Sequence, residues 1–460
     1  MKKIFPLLAL VLAVDLGTGC SLYAADNLPF VTDSIPTTGS PPIGHSLNDF
    51  LTAALSYSPR LRIAEERLNI GSARKRIANG QLLPQVTASA NFSDNSRSVS
   101  GVSGTDNFTG QRFSFQLRQV LFNWQAFAAR SQAYLFEDQM EAEYFVELAT
   151  MLTDVSDKYF SVLQAEAALN SIRTELVAIT NQVNQVQSLY DRQMAQITDL
   201  YEAQAQLAAV QSEQIDLESE LDLSREALRA ATGIIAGNLD YLEETTVIPE
   251  MQESAQYWIN QAIQNNAEIK AGEFAFRAAQ KKVSEQRGAY LPQVSLTIQE
   301  LNTDLGFENS PVTESDNTFF GLDVTIPLFA GGSNRAAVSE SISQQNVVAN
   351  ELRQVQLEVA EKTQIAYLRV KSSQSRVQAA RKLLESTTLS ATAMQRGFEL
   401  GQVNSVDALN ALRDQFQAQR DLQTQRYEHL KSLLNLKRES GLLSPQDLID
   451  IGTWLQTTQN

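Results

Sequence analysis

The chain is poor in the residues that carry enzyme chemistry. Its 460 residues include one cysteine, Cys20, and two histidines, His45 and His429. A single cysteine excludes an intrachain disulfide. Neither histidine has a second ligand at metal spacing, so no metal site can be assigned. No glycine-rich phosphate loop is present. Gly331-Gly332 lacks the further glycine and the acidic partner of a dinucleotide loop, and reads as a strand-to-helix swivel. There is thus no catalytic residue and no cofactor site, and a secreted enzyme is the weakest class. Beyond the N-terminus no run approaches the roughly 18 apolar residues of a transmembrane helix. Glycine and proline are also scarce, at 21 and 12 residues, which suits long helices.

Basic charge is in deficit as well. The net charge is −16, which argues against nucleic acid as a partner. Such an excess serves solubility, or lines an acidic interior that favours cations. Removing residues 1–24, which hold Lys2, Lys3 and Asp15, leaves −17. Those residues read as a secretory signal peptide: Lys2-Lys3, the apolar run from Ile4 to Val14, then cleavage after Ala24 with Leu22 and Ala24 at the recognition positions. Lipidation at Cys20 is the rival, but Gly17 stands where a lipobox normally has leucine. Residues 25–45, with Pro29, Pro36, Pro41 and Pro42, read as an extended arm.

What remains is said twice. Leu83-Pro84-Gln85-Val86 recurs as Leu291-Pro292-Gln293-Val294, an offset of 208. Tyr159 and Tyr367, Asp199 and Asp407, and Gly233 and Gly441 share that offset. A period so long is a duplicated half, not a solenoid repeat. The halves are placed at 46–245 and 246–460.

Each half reads as helix, hairpin, long helix and return helix. The first helical run places Leu47, Phe50, Leu51, Ala54 and Leu55 on one face and continues to about Leu82, where Pro84 ends it. Period-two alternation follows in hairpins at about 85–121 and 293–327, marking sheets with one apolar and one polar face. No glycine or proline occurs from Gln111 to Thr232, from Ser333 to Arg396, or from Gln402 to Ser440. A helix from about Asn123 to Arg192 would be roughly 100 Å long. After Asp199, Leu200, Ala203, Leu207, Val210, Gln214, Leu217, Leu221, Ser224 and Leu228 step by threes and fours in a coiled-coil seam. The seam after Asp407 is less regular.

Four amphipathic strands of about ten residues have the length to cross a bilayer as tilted barrel strands. Four cannot close around a lumen, and lipid does not tolerate an open sheet edge. Several chains must then share one barrel: two copies give eight strands and a filled interior, three give 12 and a channel. The alternative is a periplasmic or surface coiled-coil adaptor or adhesin, which needs the long helices but not the strands.

From about Ser46 to Leu455 the chain resembles the TolC-like outer-membrane efflux channels. The resemblance rests on the two Leu-Pro-Gln motifs, on Ile326-Pro327-Leu328-Phe329-Ala330-Gly331-Gly332, and on Tyr159-Phe160-x-Val162-Leu163. It also rests on Ile197-Thr198-Asp199 and on Gly397-Phe398-x-x-Gly401 leading to Val406-Asp407-Ala408-Leu409. It implies a mostly α protein with a small transmembrane β part. Four strands per chain would join a 12-stranded trimeric barrel, continued by a periplasmic α-barrel with coiled coils. It implies a homotrimer in outer-membrane lipid that is a passive exit duct for drugs or secreted substrates. A periplasmic adaptor (membrane fusion) protein and an inner-membrane pump would complete the conduit.

The resemblance also assigns residues. Asp407 would face the tunnel at the periplasmic entrance, three copies making an acidic ring, with Asp199 as its repeat mate. Both also suit the first turn of a helix. Where some members carry a charged latch, this chain has Asn410, Phe398 and Val403, which predicts a gate held by polar and apolar contacts. The tip turns Leu400-Gly401-Gln402 and Met194-Ala195 would meet the adaptor. Pro84, Pro292, Pro327, Gly331 and Gly332 would mark strand-to-helix transitions. Lipid would meet Phe113, Phe115, Leu117, Phe320, Leu322 and Val324, with Phe122, Trp124 and Phe329 in an aromatic girdle, Trp124 equally suiting a place between helices. Residues 94–110 and 302–316 would be outer loops.

Overall fold

The computed structural model describes residues 42–456, apart from 99, 102, 244, 245, 247, 249, 250 and 305–314. The signal peptide, Cys20 and most of the arm lie outside the described residues. So do parts of both outer loops.

The first half runs β1 (Ile43–Gly44), α1 (Leu47–Tyr57), α2 (Pro59–Gly80), β2 (Gln85–Ser98), β3 (Thr105–Phe122), α3 (Trp124–Asp191) and α4 (Ile197–Thr232). Two short strands, β4 (Ile235–Ala236) and β5 (Tyr241–Leu242), follow. The second half runs α5 (Ala255–Asn265), α6 (Ala267–Gly288), β6 (Gln293–Thr303), β7 (Ser315–Thr325), α7 (Ser333–Glu399), α8 (Ser405–Glu439), α9 (Pro445–Trp454) and β8 (Leu455–Gln456). The starts of α1 and α5, α2 and α6, β2 and β6, and α4 and α8 all obey the repeat offset found in the sequence.

One expected helix is two. The run from Leu47 to Leu82 breaks at Ser58, which is extended at φ −66° and ψ 114°. Pro59 forces this, because its ring disfavours a helical residue before it while its own fixed φ suits a first helical turn. Ser58 ends α1, and its side chain accepts from Leu61 N to cap α2. Asn266 does the same between α5 and α6, accepting from Glu268 N at 2.8 Å.

The long helices are α3 with 68 residues and α7 with 67, each about 100 Å at 1.5 Å per residue. Asn123 caps α3 by accepting from Ala126 N at 3.3 Å. The α4 seam buries Leu200, Ala203, Val210, Leu221 and Leu228. The irregular seam of α8 has a cause. Its buried positions include Arg420, Arg426 and His429 among Leu409, Phe416, Tyr427, Leu430 and Leu434.

Tyr159 anchors the main core. It is fully buried beside Phe50 and Phe160. Its hydroxyl donates to Asp240 O at 3.0 Å and to His45 O at 3.3 Å, and burial pushes its ionisation well above the ordinary tyrosine range. Tyr367, its repeat mate, packs in a smaller cluster with Trp258, Ala366, Val370 and Leu436. Around the core, β1 pairs in parallel with β4, and β5 pairs antiparallel with β8.

The four long strands form one antiparallel sheet in the order β2-β3-β6-β7. A register shift between Val120 and Phe122 bends β3 just before α3. The first hairpin is longer than its sequence promised. Pairing continues from Gln85–Arg118 out to Ser98–Thr105, so most of 94–110 is strand rather than loop. The Ser, Asn and Asp residues there suggest a turn, but cross-strand backbone pairing overrides that preference. In the second hairpin Thr303 still pairs with Ser315, so 302–316 loses both ends to strand.

Candidate functional site: an amphipathic sheet and two helical tips

The register sorts the sheet's two faces. Val86, Leu117, Ile298 and Phe320 form one apolar row across all four strands. Phe113, Phe115, Leu322 and Val324 share that face by alternation, and Phe320 and Leu322 are 72% and 60% exposed. On the other face Gln85, Arg118, Thr297 and Gly321 form a row, with Thr87, Gln116, Gln299 and Phe319 beside it. Thr297 Oγ1 donates to Asp323 at 2.5 Å. Besides Leu301, Phe319 is an exception on this polar face. Its ring lies over Gly321, where a Cβ would come within 2.3 Å of Phe319 Cζ. Among the described residues both outer strands, β2 and β7, present an unpaired edge.

At the strand-to-helix changes, Pro84 and Pro292 immediately precede β2 and β6, and Pro327 follows β7. Gly331 and Gly332 take φ of 59° and 86°, which glycine alone adopts readily, and Gly332 starts α7. Phe122 packs on Phe127 at 6.2 Å. Trp124 packs between helices: its Nε1 donates to Ser284 at 3.1 Å, and a Cβ at Gly288 would lie 2.9 Å from its ring. Leu328 and Phe329 are almost fully exposed, at 92% and 88%.

The far ends of the helices are two tip turns with one geometry. At Leu400-Gly401-Gln402, Gly401 has φ 70°, Gly401 N donates to Phe398 O at 3.0 Å, and Gln402 N to Gly397 O at 2.8 Å. This is a Schellman turn. The other tip repeats it one residue earlier than Met194-Ala195. Gln193 has φ 59°, Gln193 N donates to Tyr190 O, and Met194 N donates to Leu189 O, both at 2.8 Å. Gln193 is the repeat mate of Gly401 and takes the left-handed position without being glycine. Sequence reasoning missed it because no residue there signals a positive φ.

The latch positions fall around the second tip. Val403 folds back onto Gly397, where a Cβ would come within 2.6 Å of Val403 Cγ2. Phe398 and Asn410 are half-buried. Asp407 is exposed in the first turn of α8, below its cap: Asn404 Oδ1 accepts from Asp407 N at 2.7 Å. Asp199 is half-buried in the first turn of α4, whose N-cap, Gln196, makes no side-chain capping bond. The two acids thus hold equivalent positions, where the positive helix end favours them. Among the described residues no group of His, Cys, Asp and Glu could hold a metal ion, and no helix is long and apolar enough to cross a membrane.

A sheet with one apolar face and bilayer-length strands, joined to helices about 100 Å long, has the parts of a channel through an outer membrane. The family comparison agrees. The profile "Outer membrane efflux protein" matches residues 50–234 and again 258–442, so the chain belongs to that family. Its relatives include outer membrane protein TolC of Vibrio cholerae serotype O1, 24% identical over 94% of this chain and 98% of that protein. The alkaline protease secretion protein AprF of Pseudomonas aeruginosa is 22% identical, covering 86% of this chain and 84% of the relative. The solved structure of CusC superimposes with a TM-score of 0.75 at 18% identity, over 86% of this chain and 92% of that one. The protein is an outer-membrane channel for efflux or secretion, with a helical extension in the periplasm. The adaptor or adhesin alternative has no support.

Proposed function

We propose that three copies of this chain close one 12-stranded barrel and one helical duct, which passes drugs or secreted substrates outward without chemistry of its own. The observation that carries this is a contact made within the chain and missing from its repeat mate. α3 of the first half packs along α6 of the second. By the repeat, α7 should pack along α2, yet it has no comparable packing there within the chain. The face of α2 turned outward bears Ile63, Ile70 and Ile77, 54%, 51% and 63% exposed. Their mates on α6 include Ala271 and Ala278, both buried. Gly288 of α6 carries Trp124, while at its mate Gly80 a Cβ would meet nothing within 4 Å. A second copy's α7 fits this vacant face, and its β7 edge fits the bare β2 edge. Two such joints are head-to-tail, so they repeat until the ring closes.

An inner-membrane pump and a periplasmic adaptor complete the conduit, the adaptor meeting the tips at Leu400-Gly401-Gln402 and Met194-Ala195. Three Asp407 side chains ring the entrance and favour cations. Val403, Phe398 and Asn410 leave the tip without a charged latch. The deciding test is single-channel conductance of detergent-purified protein in planar bilayers, with the mass of the assembly. Discrete cation-preferring steps from a trimer are expected. A monomer or dimer that stays soluble without detergent would overturn the barrel.

A further inference from the structure

The hydrophobic seam between the two helical hairpins is interrupted by charge. α3 buries Ile172, Ile179 and Val186 along one stripe, and Glu175 sits in that stripe with its side chain 1% exposed. Arg420 occupies the matching place on α8, with its side chain 8% exposed. Arg420 Nη1 donates to Glu175 Oε2 at 2.5 Å, and Nη2 lies 3.3 Å from Glu213 Oε1 on α4. Gln417 Oε1, one turn back on α8, also accepts from Nη2 at 2.9 Å. One guanidinium thus ties three helices, and it joins the hairpin of the first half to that of the second.

Its height in the bundle matters. Glu175 precedes the end of α3 at Asp191 by about as much as Glu213 follows the start of α4 at Ile197 and Arg420 follows the start of α8 at Ser405. All three stand about 24 Å from the tips at 1.5 Å per residue. Below that level α8 carries Asp407 and Asn410, and the tip has no ion pair of its own at Phe398, Val403 or Asn410. A swing of the α7–α8 hairpin against α3 and α4 that reaches this level must break or stretch the Arg420 contacts.

The arrangement is also costly. Among the described residues Glu175 Oε1 has no hydrogen-bond partner, and burial pushes the Glu175 carboxyl upward, with Arg420 pulling it back. Well-packed hydrophobic residues serve stability as well as a buried ion pair does. The best-attested use of such a pair is to fix one register or to mark a switch.

We propose that Glu175, Arg420 and Glu213 form a three-helix clasp that sets the aperture of the periplasmic entrance, acting in place of a latch at the tips. These are positioning residues and touch no substrate. The proposal rests on the channel reading above, and the test separates the two. Single-channel conductance and assembly mass are measured for the wild type, Glu175→Gln, Glu213→Gln, Arg420→Met and Arg420→Lys. Arg420→Met and Glu175→Gln are expected to raise conductance several-fold at unchanged trimer mass. Glu213→Gln should raise it less. Arg420→Lys, which keeps the charge, should return it toward the wild-type value. Wild-type conductance in Glu175→Gln and Glu213→Gln would overturn the clasp, as would a fall in thermal stability with no change in conductance. If Arg420→Met fails to assemble, Glu213→Gln decides alone, because Glu213 is half exposed and its loss leaves the buried pair intact. A wild type that forms no trimer and passes no current would instead sink the channel reading.

Discussion

Gly441 sits against Asn266 so closely that no side chain fits between them. A Cβ on Gly441 would stand 2.6 Å from Asn266 N, and Gly441 itself has φ 69°. Asn266 is the break between α5 and α6, and its side chain donates to Glu439 O at 2.9 Å. Gly233 stands in the same relation to the first break, with a Cβ 2.7 Å from the ring of Tyr57. Gly441→Ala is expected to cost about 2–4 kcal/mol, adding left-handed strain to a backbone clash. Gly233→Ala should cost less, because a ring can move where a backbone cannot. Thermal unfolding of the two variants side by side checks the order.

Gln193 offers the opposite change. It holds a left-handed φ of 59° in a turn whose mate uses Gly401. Gln193→Gly should stabilise the first tip by up to about 1 kcal/mol. Amide exchange at Met194 and residue 193 would slow. Faster exchange would mean the glutamine side chain makes a contact worth more than the strain.

Ile70 tests the vacant face. It is the middle of the exposed isoleucine row on α2 and lies outside the buried core of the chain. Ile70→Asp should leave helicity intact and shift the purified protein from trimer toward monomer. Burial of each such isoleucine is worth roughly 1.5–3 kcal/mol. A trimer of unchanged mass and heat resistance would place the interface elsewhere.

Asp407 tests the acidic ring. Asp407→Ala should weaken cation preference and relieve block by divalent cations added on the periplasmic side. Because Asn404 already caps α8, the helix loses little beyond a dipole contact of about 0.3–1 kcal/mol. Unaltered conductance and selectivity would remove Asp407 from the pore.

His429 gives a pH prediction. It is buried in α8, 2.8 Å from Ser373 Oγ on α7, and burial lowers its pKa below the ordinary 6.5. The unfolded chain therefore binds a proton that the folded chain refuses. Its contribution is fully present above the unfolded value. It is lost as pH falls from there through the folded value. Melting temperature should drop as pH falls below about 6.5, and His429→Gln should flatten that part of the profile. An equal slope in both proteins would assign the acid sensitivity to other groups.

The duplication made much of the fold legible. Alternation in Val294, Leu296 and Ile298 placed a strand that proved to span Gln293–Thr303. The absence of glycine and proline from Gln111 to Thr232 foretold the long helix, though its β3 portion shares that absence. What failed was local. Pro59 is visible in the sequence and breaks the helix at Ser58, but the helix formers on either side read as one continuous run. The outer part of the first hairpin was hidden by its turn-like composition. Gln193 and the Glu175–Arg420 pair left no trace, because a left-handed glutamine and a buried arginine in a polar helix look like surface residues. The positions of Asp199 and Asp407 at matching helix starts were legible both through the repeat and because acids beside small polar residues suit a first helical turn.

The bare edges of β2 and β7 carry a consequence for the cell. A lone chain offers two rows of unpaired amides and carbonyls, and hydrocarbon has nothing to pair with them. On the three-chain reading, subunits must therefore meet in water before any of them enters the bilayer, and insertion is a collective event. A copy with a damaged edge would still join through its intact side and spoil the whole assembly. Such an allele would be dominant over a normal gene, and overproducing it would disarm export in an otherwise healthy cell.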